Sequence, residues 1–120
     1  MGTINNQMKF HEKLKVLMDQ FVHCVYDISI KFPNEERFGI ISQIRRASLS
    51  VILNYIEGFA RKRKAVTKNF LEISYGSLKE TKYLLYFSYR RKYLKEKEYK
   101  EALDKAEEIG KMLWGIIRNL

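Results

Sequence analysis

Residues that form turns are scarce in this sequence, which has one proline and six glycines among its 120 residues. A sheet protein of this size needs many turns, so the scarcity favours a few long helices. Apolar residues make up 46% of the chain, and the length is that of one domain with one hydrophobic core. We therefore predict a single all-α domain over residues 1–120, an antiparallel up-and-down four-helix bundle with a short flexible N-terminus at about residues 1–8.

Membrane-spanning and secretory segments are also missing. No uncharged apolar run reaches the roughly 18 residues of a transmembrane helix, and residues 1–10 lack the basic and apolar regions of a signal peptide. The sequence thus predicts a cytoplasmic protein that does not contact a membrane. Cys24 is the only cysteine, so no disulfide forms within the chain, and its apolar neighbours indicate a buried core residue.

Groups that carry catalysis are few. His11 and His23 are the only histidines, and Asp27 follows His23 by one helical turn, an arrangement that is usually structural. The sequence contains no metal-ligand spacing of cysteine, histidine and carboxylate, no glycine-rich phosphate loop and no nucleophile elbow. We therefore expect no enzymatic activity, no metal and no cofactor.

Apolar residues recur at steps of three and four in four segments, which is the spacing of one helix face. The predicted helices cover residues 9–32, about 35–60, 68 to about 92, and about 95–120. Pro33 should end the first helix, because a residue that precedes proline is excluded from the helical conformation. Asn34 and Thr67 are the predicted N-caps of the second and third helices. In the fourth helix the apolar steps alternate without a break, as is typical of bundle helices that cross at a shallow angle.

The second predicted helix is apolar on two sides. One stripe consists of Ile41, Ile44, Val51, Ile52, Tyr55 and Phe59. The other consists of Leu49, Leu53 and Ile56. An outer helix of a small monomeric bundle needs only one apolar stripe, so the second indicates either a central position or a subunit interface. We favour the interface, and therefore a homo-oligomer, although the pattern does not fix the number of subunits.

A polar stripe follows the same helix at helical spacing. Its members are Gln43, Arg46, Ser50, Asn54 and Glu57. One interpretation is a hydrogen-bonded network, buried or at a subunit contact, that fixes the register of the helices. The other is a groove for a ligand or for RNA. We favour the network, because buried polar groups usually have protein partners.

The net charge of +9 is concentrated in one part of the chain. Residues 61–97 hold 12 lysines and arginines and three acids, and the remainder is neutral. The cations predicted to bind phosphate are Arg61, Lys62, Arg63, Lys64, Lys68, Lys79, Lys82, Arg90, Arg91 and Lys92. Tyrosines lie between them, with Tyr86 as the candidate for stacking on a base. Clustered cations beside stackable rings favour a nucleic-acid partner, RNA in particular; the alternative is a solvated basic face with tyrosines packed at its edges.

Part of this pattern resembles a known family. The residues concerned are Phe32-Pro33, Glu36, Phe38-Gly39, Gln43, Arg45-Arg46-Ala47, Ser50, Asn54, Glu57-Gly58, Phe70, Leu71, Gly76-Ser77-Leu78 and Glu80. They resemble the bacterial four-helix-bundle proteins encoded in intervening sequences of large-subunit (23S) ribosomal RNA genes, and the likeness covers essentially the whole chain.

The resemblance implies a four-helix bundle that assembles into a ring, a pentamer. Related proteins accompany the reverse transcriptases of diversity-generating retroelements, where such a ring looks like a platform for RNA and the polymerase. The family pattern also marks Arg45 and Gly58 beside four members of the polar stripe, without saying whether these residues hold the fold together or touch a ligand.

Two functions from different classes follow from these observations. The first is a non-enzymatic oligomeric scaffold that binds nucleic acid, RNA in particular, through a basic face and loop. The second is a structural adaptor that binds a protein partner, such as a reverse transcriptase, and has little affinity for nucleic acid. The sequence does not distinguish RNA from DNA or indicate a sequence preference.

Overall fold

Four long helices make up the structure. The computed structural model describes the backbone of residues 2–120 and the side chains of residue 6 and of residues 8–120. The helices are α1 (Gly2–Ser29), α2 (Ser42–Phe59), α3 (Lys64–Arg90) and α4 (Glu96–Ile117). No β-strand occurs in residues 2–120. The all-α, four-helix prediction is confirmed.

The helices surround one hydrophobic core in a particle of 50 × 25 × 19 Å. Each helix packs against the next one in the chain, and α1 also packs against α4. Short connections between neighbours make consecutive helices antiparallel. Fully buried core residues come from all four helices: Leu14, Met18, Phe21, Val25, Ile44, Val51, Leu71, Leu85, Ala102, Ala106, Ile109 and Leu113. The last four of these confirm the apolar seam predicted for the fourth helix.

The first two helices differ from the predicted boundaries. Helix α1 begins at Gly2 rather than at residue 9, so it includes most of the segment predicted to be flexible; Met1 lies outside the described residues. Asn34 begins a short 3-10 turn and makes no capping bond through its side chain. A π-helical segment, Arg37–Ile41, follows and leads directly into α2, and non-helical backbone angles at Gly39 (φ −109°, ψ −112°) produce a kink within that segment. Glycine, which lacks a Cβ atom, tolerates such angles.

The start of α3 was also predicted wrongly. The helix begins at Lys64, and Thr67 lies in its first turns rather than at its cap. The buried Thr67 hydroxyl donates instead to the carbonyl oxygen of Gly58 at the end of α2, over 2.8 Å. A Cβ atom on Gly58 would lie 3.1 Å from the Cβ atom of Phe70, so the glycine allows α2 and α3 to approach closely. The Ser74 hydroxyl, which donates to the carbonyl oxygen of Val51 over 2.6 Å, adds a second bond at this contact.

Helix α3 ends in a left-handed turn. Lys92 has a positive φ of 64°. Its amide donates to the carbonyl oxygen of Tyr89, and the Tyr93 amide donates to that of Ser88. This pair of bonds is the Schellman motif, in which glycine usually occupies the left-handed position.

None of the helices in residues 2–120 has the length and apolar character that a membrane crossing requires.

Candidate nucleic-acid interface

The predicted phosphate-binding residues lie at both ends of α3 and along its length. Arg61, Lys62 and Arg63 form the connection from α2, and Lys64 is the first residue of the helix. Arg90 is the last helical residue, and Arg91 and Lys92 follow it. A helix of 27 residues is about 40 Å long. The structure therefore places the two basic clusters at opposite ends of the bundle, because one uninterrupted helix lies between them.

The basic connection adjoins the positive end of α3. Its cations are exposed, no side chain caps the helix, and the first turn contains no acid. Arg61 pairs with the Glu57 carboxylate and lies over the Phe70 ring at 5.1 Å. Within the described chain, Lys62, Arg63 and Lys64 form no ion pair. The N-terminus of α3 carries the partial positive charge of the helix dipole, which adds to the positive charge of these side chains. This end of the bundle therefore favours binding of an anion.

The middle of α3 presents its cations toward α4. Lys82 forms an ion pair of 2.6 Å with Glu107 of α4, and this bond holds the pKa of Glu107 below its usual value. Lys79 lies over the Tyr75 ring at 5.2 Å. The exposed Tyr86 accepts a hydrogen bond of 2.9 Å from Arg90, and its ring lies 6.4 Å from that of Tyr99 on α4. Lys68 is half-buried near the start of the helix.

Sequence reasoning missed the contribution of α4 to this side of the molecule. Trp114 is 49% exposed, and its ring centroid lies 5.6 Å from that of Tyr75. Lys111 lines a cleft between α3 and α4 together with Tyr75 and Trp114, although its spacing in the sequence is that of an ordinary solvated residue. The sequence feature that could have indicated this contribution is Trp114 itself. It follows the seam residue Leu113 but does not belong to the apolar seam, so a large aromatic side chain was to be expected outside the core.

The polar stripe of α2 divides into two parts. The Ser50 hydroxyl lies 2.8 Å from that of Ser77 on α3, and the Asn54 amide donates to the Ser50 hydroxyl over 2.8 Å. Gln43, Arg46 and Glu57 are exposed. No buried side-chain nitrogen or oxygen in the described residues lacks a hydrogen-bond partner. Ser50 thus connects α2 to α3, Asn54 bonds Ser50 within α2, and the other three members of the stripe face solvent.

Arg45, which the family pattern marked, connects α2 to α1. Its Nε atom donates to the Ser29 hydroxyl over 2.8 Å, and its guanidinium lies 4.6 Å from the centre of the Tyr26 ring. These contacts give the residue a role in packing the bundle.

Each histidine pairs with one neighbouring side chain. His23 pairs with Asp19 at 3.5 Å, one turn before it, rather than with Asp27 as its spacing had allowed. The Nδ1 atom of His11 bonds the hydroxyl of Tyr55, and burial lowers the pKa of His11 and raises that of Tyr55. Cys24 is half-buried against the core, and burial raises the pKa of its thiol. Among the described residues, no three metal-binding side chains converge.

The two apolar stripes of α2 have different environments. Val51 and Tyr55 of the first stripe are buried in the core. In the second stripe, Leu53 is 54% exposed and Ile56 is 51% exposed. Leu49 and Phe59 are also exposed, so an apolar side of α2 remains uncovered in the single chain.

Comparison with known proteins identifies the family. The family model described as 23S rRNA-intervening sequence protein matches residues 12–115. The chain belongs to this family. The resemblance to intervening-sequence proteins is thereby confirmed, whereas the relation to accessory proteins of reverse transcriptases stays a prediction.

Among solved structures, this intervening-sequence protein is similar to a protein of unknown function from the S23 ribosomal protein family of Bacteroides thetaiotaomicron. The two chains superpose with a TM-score of 0.84 and 25% sequence identity, over 91% of this chain and 98% of the other. No curated protein sequence matches the chain.

Proposed function

We propose that this member of the family is a non-enzymatic scaffold that binds RNA through the α2–α3 connection and the basic side of α3. The proposal rests mainly on how few of the cations are paired with acids. Of the ten predicted phosphate-binding lysines and arginines, only Arg61 and Lys82 are held in ion pairs within the described chain. The remaining cations are available to a polyanion.

The physical basis of binding is the release of counterions. A nucleic acid carries a condensed layer of cations, and each lysine or arginine that neutralises a phosphate displaces part of it. The cations of α3 are distributed over about 40 Å, so they can follow a phosphate backbone along the bundle. Because tyrosines such as Tyr86 are exposed beside them, unpaired bases can also stack, which favours RNA with single-stranded regions.

The second part of the proposal is association through α2. Exposed apolar patches usually mark interaction sites, and the second stripe of α2 lies beside exposed charges of both signs, Arg46 and Glu57. A second copy of the chain would cover the stripe and bring several basic sides into one particle. The resemblance described above implies a pentameric ring as the form of this assembly.

The test is a titration of labelled single-stranded and structured RNA at two salt concentrations, with the mass of the protein measured by light scattering in the same buffers. We expect the logarithm of the affinity to fall by roughly 0.7 to 0.9 per phosphate contact for each tenfold rise in salt. The variant K62Q/R63Q/K64Q should bind RNA more weakly and with a smaller salt dependence. The matched control K9Q/K13Q/K105Q removes the same charge from exposed positions on α1 and α4 and should retain most of the affinity.

Two outcomes would contradict the proposal. Equal losses in the two triple variants would mean that binding depends on net charge and not on the α2–α3 connection. Absence of binding at low salt by an intact oligomer would favour the second candidate, an adaptor that binds a protein partner such as a reverse transcriptase. The exposed stripe of α2 supports that candidate as well, because it could take a protein other than a second copy.

A further inference from the structure

A cleft between α3 and α4 combines aromatic walls with a cationic rim. It has a volume of about 160 Å³, and Tyr75 and Trp114 stand beside each other along it. Leu78 and Ala106 line its buried side. A cavity of roughly 150 Å³ can hold one benzene ring, so the cleft suits a single planar ring better than a folded element of a partner.

Gly110 keeps this cleft open. A Cβ atom at position 110 would lie 3.4 Å from the Cδ2 atom of Leu78, which is ordinary van der Waals contact. Close packing therefore does not require glycine here, and a larger side chain would occupy the space between the two helices. The absence of a side chain is what leaves the indole of Trp114 and the ring of Tyr75 accessible.

The rim of the cleft is positively charged. Lys79, Lys82 and Lys111 line it together with one acid, Glu107. Glu107 is paired with Lys82, so the charges that remain available are those of Lys79 and Lys111, one on each helix. A ligand that carries a planar ring between two anionic groups would complement this arrangement.

We propose that the cleft binds one unpaired base of a single-stranded RNA segment, with the base against Trp114 and the adjoining phosphates on Lys79 and Lys111. This inference rests on the proposed function and names the form of RNA that is bound. The half-exposed indole offers a surface for stacking that does not depend on the identity of the base. Tyr86 lies about 16 Å from Tyr75 along α3. A single strand that follows the groove from the cleft therefore meets a second exposed ring.

The test uses the intrinsic fluorescence of the protein, because Trp114 is its only tryptophan. A single-stranded oligonucleotide of mixed sequence should quench this emission as it binds. A duplex of the same length should bind through its phosphates without quenching, since its bases are already stacked. The variant W114A should bind the single strand roughly 5- to 150-fold more weakly, the range for loss of one base–aromatic stack, and W114F should recover most of the loss.

A second pair of variants tests the cleft without touching the ring or the charge. G110L fills the cleft and should weaken binding of the single strand and abolish the quenching. G115L is its control, because position 115 lies on the same helix with no atom within 4 Å of an added Cβ. Far-UV circular dichroism and melting temperature identify any variant that is misfolded, and W114F keeps the test decisive if G110L proves unstable.

The outcomes separate this inference from the proposed function. Unquenched emission of Trp114 on saturation with single-stranded RNA, together with unchanged affinity of W114A, would overturn the inference while RNA binding stands. No RNA binding by the unmodified protein would overturn both. In K62Q/R63Q/K64Q the affinity should fall, but the quenching at saturation should persist, because the cleft is intact in that variant.

Discussion

The outer side of α2 and the groove between α3 and α4 lie on the same four-helix core and differ in chemistry. On α2 the exposed residues Leu49, Leu53 and Ile56 are apolar. In the groove, lysines stand beside Trp114 and Tyr75. The exposed side chains of both surfaces lie outside the buried seams of their helices, although the floor of the groove includes the core residues Leu78 and Ala106.

The two surfaces interact differently with water. Exposed aliphatic side chains gain roughly 1.5–3 kcal/mol each when they are fully buried, whereas lysines are well solvated until a phosphate replaces their counterions. Association through α2 should therefore be tight and insensitive to salt. Binding in the groove should be reversible and strongly dependent on salt.

The largest expected effect comes from charging the α2 surface. In L53E/I56E each protomer would bring two carboxylates into the apolar contact between the α2 surfaces, which is unfavourable. The loss of two buried aliphatic side chains should by itself weaken association by at least about 100-fold. Light scattering should give the mass of a single chain, while quenching of Trp114 by RNA persists. V16E is the matched control, since Val16 on α1 is equally exposed at 51%. The same mass for L53E/I56E and the unmodified protein would contradict association through this surface.

The next effect concerns the contact that holds the two regions together. G58L inserts a side chain where even a Cβ atom would lie 3.1 Å from Phe70 and 3.3 Å from the Thr67 carbonyl oxygen. We expect the free energy of unfolding to fall by about 1–3 kcal/mol, as measured by urea denaturation. G76L should instead raise it by about 0.5–1 kcal/mol, because nothing lies within 4 Å of a Cβ atom there and leucine favours helix. Similar changes in both variants would contradict the close approach of α2 and α3.

A smaller effect is expected at Lys92, where one substitution should change stability and RNA binding in opposite directions. Lys92 has a φ of 64°, a conformation that costs a lysine more than a glycine. K92G should therefore increase the free energy of unfolding by about 0.5–1 kcal/mol. Because it removes one cation, it should also reduce the salt dependence of RNA binding by at most one phosphate contact. A loss of stability in K92G would contradict the left-handed turn.

The smallest effect is a pH dependence near the α2 surface. Burial lowers the pKa of His11 from its ordinary value of 6.5, so the folded protein favours the neutral imidazole. The resulting stability is present above pH 6.5 and is lost as the pH falls through that value toward the folded pKa. The melting temperature should therefore decrease between pH 7 and pH 5, and less so in H11Q. An identical decrease in both proteins would assign the effect to other groups.

Spacing along the sequence predicted the number of helices and most of the core. The apolar seam of α4 follows from helical periodicity alone. Its members Ala102, Ala106, Ile109 and Leu113 are fully buried, whereas its last position, Leu120, is 36% exposed. Helix ends were less predictable. Thr67 has the chemistry of an N-cap, but its hydroxyl bonds Gly58 of the preceding helix, a partner that local sequence does not reveal.

The candidate site was predictable only in part. Its cations could be named from composition, because charge is visible residue by residue. The separation of the two basic clusters could not be predicted, since it depends on α3 continuing without interruption from Lys64 to Arg90. Trp114 entered the site because α4 packs beside Tyr75 of α3, a contact between residues that are far apart in the chain.

Periodicity and charge are local properties, and they were enough to predict that this protein is helical, basic in one third of its length, and apolar on two sides of its second helix. The buried stripe of α2, the pairing of the cations, and the cleft lined by Trp114, Tyr75 and two lysines became visible only once the helices were packed together. Those features depend on which helices are neighbours and how they are rotated, and both are set by packing of the whole core.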